Sequence, residues 1–151
     1  MDFVHKSTLK SLCYVSKVAC DEMATMISVI YHSISSDTSK LKADNSYITI
    51  ADGIVQHLLK EHLYRNKFSA IVGEEDETNV NIITRPYTVD DLVVPELYYD
   101  SIDVVRGKID ELSVQIDNES FTDLSVFIDP IDGTREFSTG DNYFIVLVFI
   151  I

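Results

Sequence analysis

Two short apolar runs, 68–72 (FSAIV) and 124–128 (LSVFI), end in the same way, each opening directly onto carboxylates. The first is followed by Gly73-Glu74-Glu75-Asp76, the second by Asp129-Pro130-Ile131-Asp132-Gly133-Thr134. A short apolar run bounded by turn-forming residues reads as a buried strand. Open α/β sheets carry their sites in the crevice beyond the C-terminal ends of such strands. The paired runs therefore predict an α/β chain with acid delivered to that crevice.

Helices supply the rest of the expected core. Over 7–31, Leu12, Val15, Val18, Ala19, Met23, Met26, Ile27 and Ile30 recur at helical spacing, so the methionines read as core filling. The polar run 33–46 (SISSDTSKLKADNS) reads as a mobile loop. A second helix is expected over 48–64, with Ile48, Ala51, Val55, Leu58, Leu59 and Leu63 on one stripe. Asp52 lies in its first turn, where a carboxylate meets the positive helix end. His57 and His62 are five residues apart, a spacing that does not share a face in an α-helix, so no zinc site is expected. Thr88-Val89-Asp90-Asp91 resembles a helix N-cap, followed by Leu92, Val93, Leu97, Ile102, Val105 and Ile109, with Pro95 interrupting one continuous helix.

A chain of 151 residues is one domain's length and, at 46% hydrophobic, has the composition of a folded globular protein. Its net charge of −13 leaves no basic surface for a phosphate backbone, which argues against nucleic-acid binding. The acid is local: between Gly73 and Asp123 fourteen Asp and Glu face three basic residues. That stretch reads as a solvated acidic insertion with a divalent-cation site at its borders. The longest apolar stretch, 143–151, is too short to cross a membrane. Cys13 and Cys20, two turns apart on one helix, cannot bridge within it and read as free buried thiols. With no apolar leader in MDFVHKSTLKSL, they point to the cytoplasm. The five glycines form neither G-x-G-x-x-G nor G-x-x-x-x-G-K, so Rossmann and P-loop nucleotide sites are not expected.

The 129–134 run combines two carboxylates three residues apart with a proline, a glycine and a hydroxyl. Pro130 stiffens the backbone and Gly133 permits a tight turn, so the run reads as a rigid loop. The backbone N–H groups of Gly133 and Thr134 could then face a phosphate at a helix N-terminus. Glu74 and Glu75 add the oxygen ligands from a separate segment that a hard divalent ion requires.

Three pieces, T-I-A-D at 49–52, V-G-E-E-D at 72–76 and D-P-I-D-G-T-R-E-F at 129–137, occur in the order and context of a known superfamily. The chain resembles the lithium-sensitive, magnesium-dependent phosphomonoesterases, which include inositol monophosphatases, inositol polyphosphate 1-phosphatases and 3′(2′),5′-bisphosphate nucleotidases. Lys42-x-Asp44 before Thr49-x-x-Asp52, the E-E-D form and T-R-E-F look most like the nucleotidases. The resemblance implies N-terminal helices packed on a sheet, as part of a sugar-phosphatase-like fold. It makes Glu74, Asp129 and the backbone carbonyl of Ile131 ligands of a first Mg²⁺, and Asp129 and Asp132 ligands of a second. Thr134, hydrogen-bonded to Asp52, would orient and help deprotonate a metal-bound water for in-line attack on phosphorus. Glu75 would stand behind these ligands, and Asp76 would be surface acid. Li⁺ would inhibit.

The implied substrate is a small phosphorylated molecule: adenosine 3′,5′-bisphosphate, losing its 3′-phosphate, or alternatively an inositol phosphate. Members of the superfamily are longer and place a further ligand Asp in a later W-D-x-x-A-type motif, whereas this sequence contains no Trp. Residues 1–151 therefore read as the N-terminal α/β metal-binding portion, with the C-terminal substrate domain absent. A catalytically incompetent metal-binding fragment is the third reading. The apolar end, FIVLVFII, is expected to be a strand prone to self-association.

Overall fold

The computed structural model describes residues 3–31, 39–41, 47–75, 78–132 and 145–150, and the side chains of 8–30, 49–75, 78–130 and Ile150. Helix α1 (Phe3–Tyr31) places Leu12, Val15, Ala19, Met23, Met26, Ile27 and Ile30 in the core, as the spacing predicts. Strand β1 (Ser39–Leu41), inside the region expected to be loop, pairs antiparallel with β2 (Tyr47–Thr49), which takes up the positions 48–49 expected to open the second helix. The ladder is made through the backbone, and runs of three residues are too short to show an alternating pattern, so hydropathy does not reveal them.

Helix α2 (Ile50–His57) starts two residues later than expected and continues as a π-helix over Leu58–Tyr64. Its start is set by a capping box: Thr49 Oγ1 accepts from the Asp52 N–H, while Asp52 Oδ2 accepts from the Thr49 N–H and hydroxyl, both at 2.8 Å. Strand β3 (Phe68–Gly73) follows, then β4 (Val80–Asn81), β5 (Thr88–Val89) and β6 (Leu92–Val93), which form a small antiparallel sheet. The predicted N-cap at Thr88 is thus a hairpin. Asp90 turns it at φ 50°, a left-handed conformation that no α-helix accommodates, and Val89 is buried against the core. A 3₁₀ turn (Glu96–Tyr98) after Pro95 leads into α3 (Tyr99–Val114).

Strand β7 (Phe121–Asp132) runs parallel to β3 and antiparallel to β8 (Ile145–Ile150), giving the sheet order β3-β7-β8. A parallel pair needs a crossover, and residues 74–120 supply it. The acidic stretch is therefore no appended insertion. Ile82, Tyr87, Val94, Tyr98, Ile102 and Ile109 from it are buried in the common core. Some of its outer carboxylates meet bases. Asp103 accepts from Arg85 and the Tyr87 hydroxyl and is ion-paired with Arg106, and Asp117 faces Arg65 and Lys67.

The fold is mixed α/β. Among the described residues no helix is long and apolar enough to cross a membrane. Cys13 and Cys20 are free, but Cys13 is exposed and not buried as expected, because it flanks rather than joins the α1 stripe. Burial does reach Cys20, whose thiol is pushed up in pKa.

Candidate functional site

The acidic strand ends meet through the ladder itself. The pairing of β3 with β7 aligns Val72 with Phe127 and Gly73 with Ile128, and the next rung is the Glu74 N–H donating to the Ile128 carbonyl at 3.0 Å. Continuing that register sets Glu74 beside Asp129, although they are 55 positions apart. The following rung of a parallel ladder would require an N–H from residue 130, and proline has none. Pro130 therefore ends the β3–β7 ladder at the two carboxylates, and the chain after Glu74 is released into a turn.

Glu74 is exposed and Asp129 is half-buried, with its Oδ1 shielded from solvent. The expected rigid loop at 129–134 begins later than the motif suggests, since residues 129–132 still belong to β7. There Asp129 opposes Leu147 and Asp132 opposes Ile145, with a register shift between them that brackets the proline. The Ile131 backbone lies within this irregular segment. The carboxylate of Asp132 lies outside the described side chains. Gly133, Thr134, Asp76, Lys42 and Asp44 lie outside the described residues.

Helix α2 is fastened to the same strand end by a side chain that no motif in the sequence marks. The Gln56 carboxamide accepts the Glu75 N–H at 2.7 Å in a buried bond. It reaches that N–H by crossing directly over Gly73, where an added Cβ would fall within 3.0 Å of its three terminal heavy atoms. Gly73 is thus the passage for the clasp, and a glycine closing an apolar strand was the available signal. Asp52 precedes Gln56 by four residues and shares its helix face, so it lies about one turn from the clasp. Both Asp52 and Thr49 are fully buried.

Glu75, expected behind the ligands, is buried at 4% exposure, whereas Glu74 faces solvent. It lines a cleft of about 60 Å³ together with Gly53, Gln56, His57, Lys60, Glu61 and Thr78. Burial and the neighbouring His62 lower the His57 pKa.

The described part of the site offers oxygen donors from two separated segments, Glu74 and Asp129, with neither His nor Cys between them. That donor set suits a hard cation such as Mg²⁺ better than a thiolate- or imidazole-seeking metal. Among the described residues no group of three or more His, Cys, Asp or Glu converges closely enough to hold an ion. Two of the expected contributors, the Asp132 carboxylate and the run from Gly133, fall outside that set. Compared with known proteins, the chain matches no protein-family model, and no curated protein matches it significantly.

Proposed function

We propose that this chain carries the metal-binding part of a cytoplasmic, Mg²⁺-dependent phosphomonoesterase that removes the 3′-phosphate of adenosine 3′,5′-bisphosphate. The observation that carries the reading is the last rung of the β3–β7 ladder, which brings Glu74 alongside Asp129 where Pro130 stops the pairing. Glu74 and Asp129 would hold Mg²⁺, joined by the Ile131 carbonyl and Asp132 as the resemblance implies. When bound, Mg²⁺ would neutralise phosphoryl charge and lower the pKa of water.

Other residues of the chain support the reading. Asp52 is fixed by two hydrogen bonds from Thr49, so it offers an oriented acceptor for the Thr134 hydroxyl assigned to it. A fixed acceptor favours proton movement along one path, since a general base works only within hydrogen-bond reach. The Gln56 clasp ties the helix that bears Asp52 to the strand end that bears Glu74. The Gly133 and Thr134 N–H groups would cradle the substrate phosphate.

Phosphate release is to be measured with Mg²⁺ on adenosine 3′,5′-bisphosphate and on inositol 1,4-bisphosphate, beside calorimetric Mg²⁺ binding. Mg²⁺-dependent release from the nucleotide, lost in Asp129→Asn, supports the proposal. Preference for the inositol substrate moves the assignment to the inositol phosphate phosphatases, and Mg²⁺ bound without release of either phosphate identifies a catalytically incompetent metal-binding fragment. The absence of both Mg²⁺ binding and phosphate release would overturn the metal reading.

A further inference from the structure

Beyond the strand-end carboxylates, the π-helical segment joins two histidines whose spacing in the sequence separates them. A π-helix closes i→i+5 hydrogen bonds, so residues five apart come onto one face. Over Leu58–Tyr64 this winding brings the rings of His57 and His62 to 5.4 Å between centroids at an interplanar angle of 60°. The expectation that they lie on different faces holds for α winding only.

His62 is also oriented from outside its own helix. Its Nδ1 lies 2.9 Å from Asp110 Oδ1 of α3, and its side chain is only 15% exposed. A carboxylate at Nδ1 selects the tautomer that protonates this nitrogen and leaves the Nε2 lone pair for another partner. Metal-binding histidines recurrently show this carboxylate–imidazole arrangement.

The ring separation suits chelation. An ion about 2.0–2.1 Å from one nitrogen of each ring lies about 3.2 Å from each ring centre. Centres 5.4 Å apart then subtend about 115° at the ion, close to the tetrahedral angle. No third His, Cys, Asp or Glu among the described residues completes the group, so water would fill the other positions. Two imidazoles favour Zn²⁺, Cu²⁺ and Ni²⁺ over Mg²⁺, which takes oxygen.

We propose that His57 and His62 form a two-histidine site for a divalent transition-metal ion, with Asp110 orienting His62. An ion there would pin the π turn to α3 beside the Gln56 clasp, independently of any Mg²⁺ at the strand ends.

The test uses Cu²⁺ and Zn²⁺ on the whole chain carrying His5→Gln and His32→Gln, which leaves His57 and His62 as its two histidines. Electron paramagnetic resonance of the Cu²⁺ form should show hyperfine coupling to two imidazole nitrogens at one ion per chain. Calorimetry with Zn²⁺ should show binding that survives millimolar Mg²⁺. His57→Gln and His62→Gln should each remove the second nitrogen coupling, and Asp110→Asn should weaken Zn²⁺ by about 10–100-fold. Circular dichroism identifies any variant that fails to fold, and the remaining variants then decide. Coupling to fewer than two nitrogens in the parent, or Zn²⁺ affinity unchanged in the folded variants, would overturn the proposal.

Discussion

Replacing Gly73 by alanine tests the clasp between α2 and the end of β3. The backbone at Gly73 is not in the left-handed region, so alanine brings no conformational strain, and by itself would stabilise by about 0.4–1 kcal/mol through the unfolded chain. The new methyl group, however, would occupy the space of the Gln56 carboxamide. Gln56 is flexible and can withdraw, but the buried Glu75 N–H then loses its acceptor. An unsatisfied buried donor costs about 1–3 kcal/mol, so after the gain is subtracted the net loss should centre on about 1.3 kcal/mol, with an upper limit of about 2.6 kcal/mol.

Urea unfolding measures it. At a slope of about 1–3 kcal/mol per molar, the midpoint should fall by roughly 0.5–1.5 M. Gln56→Ala should lose a similar amount by removing the same bond. The double variant should be clearly less unstable than the sum, with a coupling of about 1 kcal/mol or more. Gly107→Ala is the matched control. Gly107 lies within α3 with open space where a Cβ would stand, so this change should raise stability by up to about 1 kcal/mol. A Gly73→Ala protein as stable as the parent, or additive with Gln56→Ala, would refute the clasp.

Tyr64 is buried and donates to Ser16 Oγ at 2.8 Å, and burial pushes its hydroxyl far above the usual 10. The unfolded chain therefore ionises first, so this contribution is complete below pH 10 and is lost as pH rises beyond it; urea unfolding at pH 8 and 11 should show a larger loss for the parent than for Tyr64→Phe. Thr49→Ala removes the cap of α2 and should lower stability by about 1 kcal/mol, read by thermal or urea unfolding, whereas Thr49→Ser should retain most of it. In the proposed enzyme, Asp132→Asn and EDTA should each abolish phosphate release, with Asp132→Asn leaving the unfolding midpoint nearly unchanged, and Li⁺ should inhibit. Release that persists through Asp132→Asn and EDTA would show chemistry without the proposed ions.

What could be read in advance was whatever depends on local periodicity. The α1 stripe from Leu12 to Ile30 is buried where its pattern places it. The two apolar runs do form strands of one sheet, but they are not buried throughout as expected: Phe68, Val126 and Ile128 enter the core, whereas Val72 and Phe127, on the other face of the pleat, are 43% and 41% exposed. The hairpin at 88–93 was illegible because Thr-Val-Asp-Asp satisfies the chemistry of a helix cap and of a tight turn equally. Pairing of Val89 with Val80, nine residues away, decides between them. The pairing of Ser39–Leu41 with Tyr47–Thr49 was hidden by its shortness, since three residues a side are too few to show a strand period. The π winding that unites His57 and His62 coincides with packing on α3, a tertiary partner that no local spacing encodes.

At the candidate site the same division holds. The acidic strand ends were visible as motifs, but their juxtaposition depends on a parallel register between segments 55 residues apart. Thr49-x-x-Asp52 carried capping-box spacing, and its hydrogen bonds are those of a capping box. Gln56 gave no sign, because a glutamine on a helix is ordinarily a solvated residue, and its role appears only once Gly73 lies beneath it.

The central claim is that Glu74 and Asp129, neighbours at the end of the β3–β7 ladder, hold one hard cation between them. The most direct measurement is Mn²⁺ binding, followed by paramagnetic resonance in competition with Mg²⁺, to the parent chain and to Glu74→Gln and Asp129→Asn. Loss of one charged oxygen ligand should weaken the ion by about tenfold or more in each variant, with Mg²⁺ displacing Mn²⁺ from the parent and no nitrogen coupling in its spectrum. Affinity unchanged by both substitutions would contradict the account.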